Sequence, residues 1–228
     1  MQGQTPDGKH RRGLADGAHF FRSFVTAPRL TGAVAPSGRA LARAMAMAIT
    51  PAPHGLIVEL GPGTGPVTES LIEAGVARER LVLIEYDSEF CSILKQRFAP
   101  ARIVQGDAYD LAVALAEFPG EPIAAIVSSL PLLNQPPARR EKLIGDAFSL
   151  MGRAGVFVQF TYGFGSPIPR EVCANRYSAH RGRPIWRNLP PARVWTYRLD
   201  VDAGGGESAV LGRAANESGE AQGAAEGR

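Results

Sequence analysis

The chain has 228 residues, of which 45% are hydrophobic and 21% are charged, a composition typical of one globular domain with a sizeable core. Its two cysteines are far apart and its four histidines lack metal-ligand spacing, which argues against a disulfide framework and a metal site. No apolar stretch approaches the ~18 residues of a membrane span and no signal-peptide core is present, so a cytoplasmic protein is expected.

Basic residues are concentrated in two stretches, although the net charge is only +3. Residues 1–43 hold seven Lys or Arg against two acids, and residues 170–198 hold seven arginines against the single Glu171. Both stretches predict surfaces for an anionic partner, either nucleic acid or the head groups of an acidic membrane. A solvated basic face without any partner is the alternative.

The N-terminal part of the chain is predicted to begin with a polar segment and a short helix. Residues 1–13 are polar and are expected to be disordered. From Leu14 the apolar residues fall on one helical stripe that contains three phenylalanines, Phe20, Phe21 and Phe24. This amphipathic helix is expected either to contact a membrane interface or to dock on the core of the protein.

A second helix is predicted after the turn-rich segment 31–37. Ser37 is expected to be its N-cap, Leu41, Met45 and Ile49 follow at helical spacing, and Pro51 ends it. Residues 14–54 are therefore expected to form one unit of two helices, which serves in membrane contact and as a lid.

The region from residue 55 to residue 161 alternates between apolar, β-rich runs and helical segments. Strands that are apolar on both faces and separated by helices predict an α/β fold, a Rossmann-like parallel sheet with helices on both faces. Ligands of such sheets lie beyond the carboxyl ends of the strands. The expected strands are 56–60, 81–85, 102–106, 123–128 and 155–161, and the expected helices are 66–75, 88–98, 108–117 and 138–151.

The region after residue 161 departs from this alternation. Residues 162–192 are rich in proline, arginine and aromatic residues, and a segment this long and irregular is expected to be a functional insertion before the last strand. An alternating strand at 194–201 is predicted to close the edge of the sheet. The domain is expected to span residues 55–202, and residues 203–228 form a tail of low complexity that is predicted to be disordered.

A glycine-rich turn follows the first strand. Gly61, Gly63 and Gly65 are spaced by two, which predicts a loop whose backbone approaches a ligand at the start of a helix. A dinucleotide fingerprint needs a glycine where Pro66 stands, so a pyrophosphate ligand is not expected. Glu59, two residues before the first glycine, offers a carboxylate to a cationic amino-acid head group.

Two further acids end the next two strands, Glu85 after the second and Asp107 after the third. In such sheets an acid after the second strand accepts both hydroxyls of a ribose, and Asp107 is placed to pair with an adenine amino group. Together these motifs resemble the S-adenosylmethionine-dependent methyltransferases with a Rossmann-like sheet. The resemblance implies that S-adenosylmethionine is the cofactor, with contacts from Gly32, Ala33, Glu59, Gly61, Gly63, Gly65, Glu85, Tyr86, Asp107, Ala108 and Ser128.

Two families of methyltransferase share this layout and the basic charge. The ribosomal RNA adenine dimethyltransferases carry Asn-Leu-Pro followed by Tyr or Phe after the fourth strand, and these residues hold a flipped adenine. The equivalent residues here are Ser129-Leu130-Pro131-Leu132, in which Leu132 cannot stack as an aromatic does. Adenine N6-methylation of ribosomal RNA is therefore the alternative function.

The other family is the bacterial phosphatidylethanolamine N-methyltransferases without a membrane span, and the resemblance extends over residues 20–201. It implies three successive methylations of phosphatidylethanolamine to phosphatidylcholine by an enzyme peripheral to the inner face of the cytoplasmic membrane, without nucleic acid or metal. The segments that carry the resemblance are Thr31-Gly-Ala-Val-Ala-Pro-Ser37, Val58-Glu-Leu-Gly-Pro-Gly-Thr-Gly-Pro-Val-Thr68, Leu83-Ile-Glu-Tyr86, Gln105-Gly-Asp-Ala108, Ser128-Ser-Leu-Pro-Leu-Leu133, Gln159-Phe-Thr-Tyr-Gly163 and Val194-Trp-Thr-Tyr197.

A lipid substrate of this kind needs groups for its phosphate and its amine. Arginines suit the phosphate and aromatic faces suit a methylated ammonium, so Tyr162, Tyr177, Arg181 and Arg187 are the expected substrate contacts. The amine must lose a proton before it attacks, and water, His180 or Tyr177 could accept it. For each single aromatic residue, packing in the core is the competing interpretation.

Overall fold

The computed structural model describes residues 36–200 except residues 53, 175 and 189, and in Pro36 and Ser37 it describes the backbone alone. The predicted phenylalanine helix with Phe20, Phe21 and Phe24, the cofactor contacts Gly32 and Ala33, and the tail 203–228 lie outside the described residues.

Seven strands form one mixed sheet in the order β3-β2-β1-β4-β5-β7-β6. Strands β1 to β5 are parallel, whereas β7 is antiparallel to both β5 and β6. The chain order reverses between β1 and β4, which is the position where open α/β sheets bind ligands. The strands are Leu56–Leu60 (β1), Leu81–Glu85 (β2), Arg102–Gln105 (β3), Ile123–Ser128 (β4), Val156–Thr161 (β5), Tyr177–Arg181 (β6) and Arg193–Leu199 (β7).

Helices cover both faces of the sheet. The first three helices pack on one face through a cluster that includes Met45, Leu71 and Leu94, and the next two pack on the other face around Leu111 and Ile144. All five residues of β1 are buried, as expected for a central strand covered on both sides. The helices are Pro36–Met47 (α1), Pro66–Glu73 (α2), Ser88–Phe98 (α3), Leu111–Ala114 (α4), Pro137–Met151 (α5) and Arg170–Cys173 (α6), with 3-10 turns at Arg78–Arg80 and Leu132–Asn134.

The structure confirms the predicted fold class and differs from the sequence prediction in several details. The helix expected at 108–117 is limited to α4, Leu111–Ala114. Helix α1 already includes Ser37, the predicted N-cap, and it ends at Met47 before Ile49. The segment 162–192, predicted to be irregular, contains α6 and β6. Strand β7 was predicted at the sheet edge, but β6 pairs with its outer side and occupies that edge. In the described part of the chain, no helix is long and apolar enough to cross a membrane.

Candidate active site

The glycine-rich turn connects β1 to α2 at the carboxyl end of the sheet. Gly61, Gly63 and Gly65 have φ angles of 65°, 58° and 86°, in the left-handed region that side chains disfavour. The Gly61 amide donates to the Ile84 carbonyl over 2.9 Å, which fixes the turn against β2. The predicted loop is therefore present, and its backbone conformation explains why glycine occupies all three positions.

The third glycine has a second cause, which is close packing with α3. A Cβ atom added to Gly65 would lie 2.3 Å from Cε2 of Phe98 and 3.3 Å from Cδ2 of Leu94. For comparison, a Cβ atom on Gly61 would lie 3.0 Å from a methyl group of Leu130, the flexible end of a side chain. Gly65 is thus required by the helix beneath the loop, whatever ligand lies above it.

Glu59 is a buried carboxylate with an unused acceptor. It is fully shielded from solvent, and its Oε2 accepts a hydrogen bond of 2.7 Å from the Thr68 hydroxyl. Its Oε1 has no partner among the described residues. Burial, opposed by the hydrogen bond from Thr68 and assisted by the charge of Glu85, raises the pKa of Glu59 to about 8. An ammonium group placed at Oε1 would supply both the missing hydrogen bond and the missing counter-charge.

Glu85, at the end of β2, receives hydrogen bonds from two loops. Its Oε1 accepts from the amides of Tyr86 and Asp87 at 2.8 and 3.0 Å, and its Oε2 accepts from the amide of Gly63 at 3.0 Å. Desolvation by burial raises the pKa of this carboxyl in spite of these donors. Glu85 therefore joins the glycine turn to the β2–α3 turn, and the Tyr86 ring beside it is 60% exposed.

Asp107, after β3, is held by a neighbour that the sequence did not reveal. Its Oδ1 accepts from the amide of Tyr109 at 2.9 Å, and its Oδ2 forms an ion pair with Arg139 at 3.2 Å. The Arg139 guanidinium also lies 4.1 Å from the centroid of the Tyr109 ring. Ala108, which lies between Asp107 and Tyr109 in the sequence, is buried. Arg139 of α5 therefore already pairs with one oxygen of Asp107, and an adenine amino group would have to share this carboxylate with Arg139.

The loop after β4 is fixed by the end of β5. The Ser129 amide donates to the Leu60 carbonyl at 2.9 Å, and the fully buried Ser128 hydroxyl accepts from the Leu130 amide at 3.4 Å. The Gln159 amide group donates to the Leu130 carbonyl at 2.9 Å, and its Oε1 is buried without a partner among the described residues. Gln159 belongs to the Gln-Phe-Thr-Tyr-Gly segment, but no local sequence pattern predicts its contact with Leu130.

These elements match known methyltransferases. A family model described as ribosomal RNA adenine dimethylase matches residues 39–134. An ornithine lipid N-methyltransferase from Singulisphaera acidiphila is 29% identical over 145 residues, which cover 62% of this chain and 76% of that protein. A ribosomal RNA small subunit methyltransferase A from Methylococcus capsulatus is 30% identical over 141 residues, which cover 60% of this chain and 49% of that protein.

Solved structures show the same fold. The 1,6-didemethyltoxoflavin-N1-methyltransferase of Burkholderia thailandensis, solved with S-adenosylhomocysteine bound, superposes with a TM-score of 0.60 at 16% identity, over 87% of this chain and 92% of that one. The matched family, the relatives and the fold agree with the glycine turn and its acids. The chain is a class I S-adenosylmethionine-dependent methyltransferase.

The family match and the neighbour solved with S-adenosylhomocysteine confirm the prediction of S-adenosylmethionine as the cofactor of the methyltransferase, and its site residues fit that cofactor. The unpartnered Oε1 of Glu59 suits the ammonium of the methionine part, and the glycine turn leads into the start of α2, where free amide groups can face an anionic group of a ligand. Glu85 and Tyr86 follow β2 on the side expected for the ribose, and Asp107 follows β3 on the side expected for adenine. No group of metal-ligating side chains occurs in the described residues.

Two predicted acceptor-side residues of the methyltransferase lie near the carboxyl end of β5. The Tyr162 hydroxyl is hydrogen-bonded to the side chain of Asn188, and its ring packs edge-on against Phe160 with centroids 5.3 Å apart. Burial raises the pKa of Tyr162. Arg187, one residue from Asn188, is exposed. The structure therefore brings Tyr162 and the segment that carries Arg187 together beside the β4 loop.

The structure corrects the assignment of Tyr177 as a catalytic and substrate-binding residue. Tyr177 begins β6 and pairs with Leu199, four residues along β7 from the level of Arg181 and Trp195, which corresponds to about 13 Å. It is buried at the amino end of the parallel strands, where its ring stacks on Phe148 at 5.0 Å. Tyr177 is a core residue, the competing interpretation raised for every aromatic side chain.

His180 and Arg181 lie on the outer edge strand of the methyltransferase. Both are exposed, and β6 is separated from β4 by β5 and β7, a span of about 14 Å across the sheet. His180 pairs with Thr196 and does not reach the crevice between β1 and β4, so the structure does not support it as a proton acceptor. Arg181 is the next residue and the last of β6, so the β6–β7 connection begins directly after it.

Proposed function

We propose that this methyltransferase transfers methyl groups to the primary amine of phosphatidylethanolamine, giving successively the mono-, di- and trimethylated lipid, phosphatidylcholine. The reaction would occur at the inner face of the cytoplasmic membrane, with the protein bound peripherally. The proposal extends the confirmed cofactor chemistry to one acceptor, and it takes support from the loop after β4, from the comparisons and from the charge of the surface.

The observation that carries the proposal is the environment of Leu132. A base-flipping enzyme stacks its target on an aromatic or apolar ring face presented to the pocket. Here the residue after Ser129-Leu130-Pro131 is a leucine that is only 1% exposed and that belongs to the core cluster with Leu143 and Ile144 of α5. This side chain is used for packing, so Leu132 offers no stacking surface to a nucleobase at the position where the RNA enzymes carry Tyr or Phe, which favours a small, flexible amine.

The comparisons also bear on the class of acceptor. The match to the ribosomal RNA adenine dimethylase family ends at residue 134, so it contains β1 to β4 and leaves out α5, β5, β6 and β7. The ornithine lipid N-methyltransferase is covered over 76% of its length, against 49% for the ribosomal RNA enzyme of Methylococcus. The two alignments have similar lengths, 145 and 141 residues, but the lipid methyltransferase is matched over more of its own chain, which supports a lipid as the acceptor class.

Catalysis in this scheme depends on positioning. When bound, S-adenosylmethionine supplies an electrophilic sulfonium methyl group, and methyl transfer to an amine leaves S-adenosylhomocysteine. The Ser129 hydroxyl, which bonds no described residue, is available to accept an N–H of the amine at the end of β4. Gln159 fixes the Leu130 carbonyl beside it. The proton of the lipid ammonium passes to water before the attack, because the described histidines lie away from this loop.

Adenine N6-methylation of ribosomal RNA is the second candidate, and the family match over residues 39–134 favours it. The two acceptors are separated by one experiment with labelled S-adenosylmethionine, in which the protein receives phosphatidylethanolamine vesicles, ornithine lipid vesicles or unmethylated small-subunit RNA. Label in mono-, di- and trimethylated phosphatidylethanolamine is the expected result, and a Glu59→Gln variant serves as the low-activity control. Label confined to RNA or to ornithine lipid would replace the proposed acceptor.

A further inference from the structure

Three loops at the carboxyl end of the sheet expose large apolar side chains. Leu133 follows β4 and is 50% exposed, Phe164 follows β5 and is 87% exposed, and Trp186 lies in the β6–β7 connection and is 75% exposed. Because β7 begins at Arg193, opposite Thr161 at the end of β5, the connection lies beyond the same end of the sheet. We name the surface formed by Leu133, Phe164 and Trp186 the apolar rim.

The loops that carry the apolar rim touch one another. A Cβ atom added to Gly163 would lie 3.0 Å from Cδ1 of Leu133, so the β4 and β5 loops are in contact. The Tyr162 hydroxyl bonds the side chain of Asn188, so the β5 loop also contacts the β6–β7 connection. Each exposed side chain of the rim lies within two residues of one of these contacts, so the three side chains belong to loops that adjoin one another.

The rim side chains are presented outward by braced loops. In the β5 loop, the Ser166 hydroxyl lies 2.8 Å from the Tyr197 hydroxyl, and Arg140 donates to the Pro167 carbonyl at 2.7 Å. Ile168 of that loop is fully buried, so the exposure of Phe164 does not come from a loop that has left the protein.

The β6–β7 connection is braced in a similar way. The Ile185 amide donates to the Ala192 carbonyl at 2.8 Å, and the buried Asn188 donates to the Pro190 carbonyl at 2.8 Å. Trp186 thus directly follows a residue that is paired across this hairpin, and this pairing restrains its backbone. Fixed, exposed aromatic residues are a common feature of surfaces that bind a partner.

The charge around the rim has one sign. Residues 181–193 contain four arginines and no acid, while residues 130–136 and 162–169 contain no charged residue. Arg181, Arg183 and Arg187 are exposed and form no ion pair within the described part of the chain. An apolar centre with a cationic border complements an anionic lipid surface, where Trp lies at head-group depth and Phe and Leu reach the acyl chains.

We propose that the apolar rim inserts into the interfacial layer of a bilayer containing anionic lipid, with Arg181, Arg183 and Arg187 at its phosphates. The inference rests on the proposed lipid substrate, because this orientation turns the end of β4 toward the head groups. It assigns membrane contact to residues of the catalytic domain itself, in addition to the predicted helix with Phe20, Phe21 and Phe24. A bilayer suits the rim better than RNA, because two of its three loops carry no cation for a phosphate backbone.

Tryptophan fluorescence tests the insertion directly, because the two tryptophans differ in environment. Trp186 is exposed, whereas Trp195 is only 8% exposed in the core. Vesicles of phosphatidylcholine and phosphatidylglycerol should shift the emission of the full chain to shorter wavelength, and brominated phosphatidylcholine should quench it. Both effects should persist in Trp195→Phe and be lost in Trp186→Phe. Quenching that is equal in the two variants, or absent from both, would overturn the proposal.

Vesicle flotation gives the second readout. Phe164→Ser/Trp186→Ser should lower vesicle affinity by about tenfold or more, whereas the matched control Val113→Ser, which removes an equally exposed apolar side chain from α4, should stay within about twofold of wild type. Unchanged S-adenosylhomocysteine affinity shows that the double variant is folded. Wild-type vesicle binding by the double variant would refute insertion of the rim, and so would a loss of ribosomal RNA affinity in that variant without a loss of vesicle affinity.

Activity on monomeric lipid separates this inference from the proposed function. With short-chain phosphatidylethanolamine below its micelle concentration, the double variant should methylate as wild type does, because no bilayer is needed. If the wild-type protein methylates no phosphatidylethanolamine in either form, the proposed function fails, while the fluorescence and flotation results still decide the role of the rim. If the double variant also loses activity on monomeric lipid, the rim belongs to the substrate site and membrane insertion is rejected.

Discussion

Replacement of Glu59 by glutamine tests the assignment of the cofactor site. The glutamine keeps the size of the side chain and an acceptor for the Thr68 hydroxyl, but it cannot carry the charge that an ammonium at Oε1 requires. A hydrogen bond to a charged group contributes about 1.5–3 kcal/mol. The affinity for S-adenosylhomocysteine should therefore fall by about 10- to 150-fold.

The pKa of Glu59 adds a dependence on pH. With a pKa of about 8, the carboxyl is mostly protonated at neutral pH in the cofactor-free protein, and binding of an ammonium requires it to lose that proton. The wild-type affinity should consequently rise by about tenfold between about pH 6 and pH 7. The Glu59→Gln variant should lack this component of the pH dependence, because glutamine does not titrate.

Folding stability should respond in the opposite direction. The pKa of Glu59 in the folded protein lies above its ordinary value of 4.5, so the folded state holds the proton more tightly than the unfolded state. The unfolding free energy of the wild type should therefore decrease as pH rises from about 4.5 to about 8. Each pKa unit of difference between the folded and unfolded states corresponds to about 1.4 kcal/mol, so the total decrease is at most about 5 kcal/mol. The Gln variant should lose this decrease and become the more stable protein at alkaline pH.

Isothermal titration calorimetry between pH 6 and 8 measures the affinities, and denaturant unfolding of the cofactor-free proteins measures the stabilities. Methylthioadenosine, which has the adenosine part but no amino-acid head group, is the matched ligand control, and Glu59→Gln should bind it as wild type does. If the variant binds S-adenosylhomocysteine normally, or loses both ligands equally, Glu59 does not contact the head group and the orientation of the cofactor must be revised.

Two further predictions concern packing and positioning. Gly65→Ala should lower the unfolding free energy by about 3 kcal/mol and Tm by about 10 °C, because its Cβ would clash with Phe98. The control Gly75→Ala has a similar φ of 94° but open space around its Cβ, and it should lower the unfolding free energy by about 1 kcal/mol. Equal Tm shifts in the two variants would contradict this prediction. Gln159→Leu should reduce kcat about tenfold while S-adenosylhomocysteine affinity stays within about twofold, because it releases the Leu130 carbonyl. Steady-state kinetics measures kcat and calorimetry measures the affinity. A fall in both kcat and affinity would indicate a general loss of folding instead.

The central strands were predictable because each is a continuous apolar run. β1, β2 and β4 have the predicted limits, and all three are fully buried. Strand β6 was missed for the opposite reason: its last four residues, Ser178 to Arg181, are exposed, so no apolar pattern marks it. What makes it a strand is pairing with β7, a contact between residues far apart in sequence, which local patterns do not encode.

The residues of the candidate site were likewise only partly predictable from local sequence. Glycines and acids next to strand ends can be recognised from spacing, because the sheet places the ends of parallel strands together. The partners of those acids come from elsewhere: Arg139 reaches Asp107 from α5, and Gln159 reaches Leu130 from β5. Tyr177 could not be assigned correctly from composition, because an arginine-rich segment contains both exposed and core-facing positions and only strand pairing separates them.

The hydrogen bonds of Glu85 bear on which parts of this enzyme can change independently of one another. One carboxylate joins the amide of Gly63 to those of Tyr86 and Asp87, so a single side chain holds the turns after β1 and β2 together. The loops after β4 and β5 and the β6–β7 hairpin contribute nothing to that bonding. Changes in those three loops should therefore leave the Glu85 hydrogen bonds in place, so the contacts with an acceptor can vary while the turns after β1 and β2 stay joined.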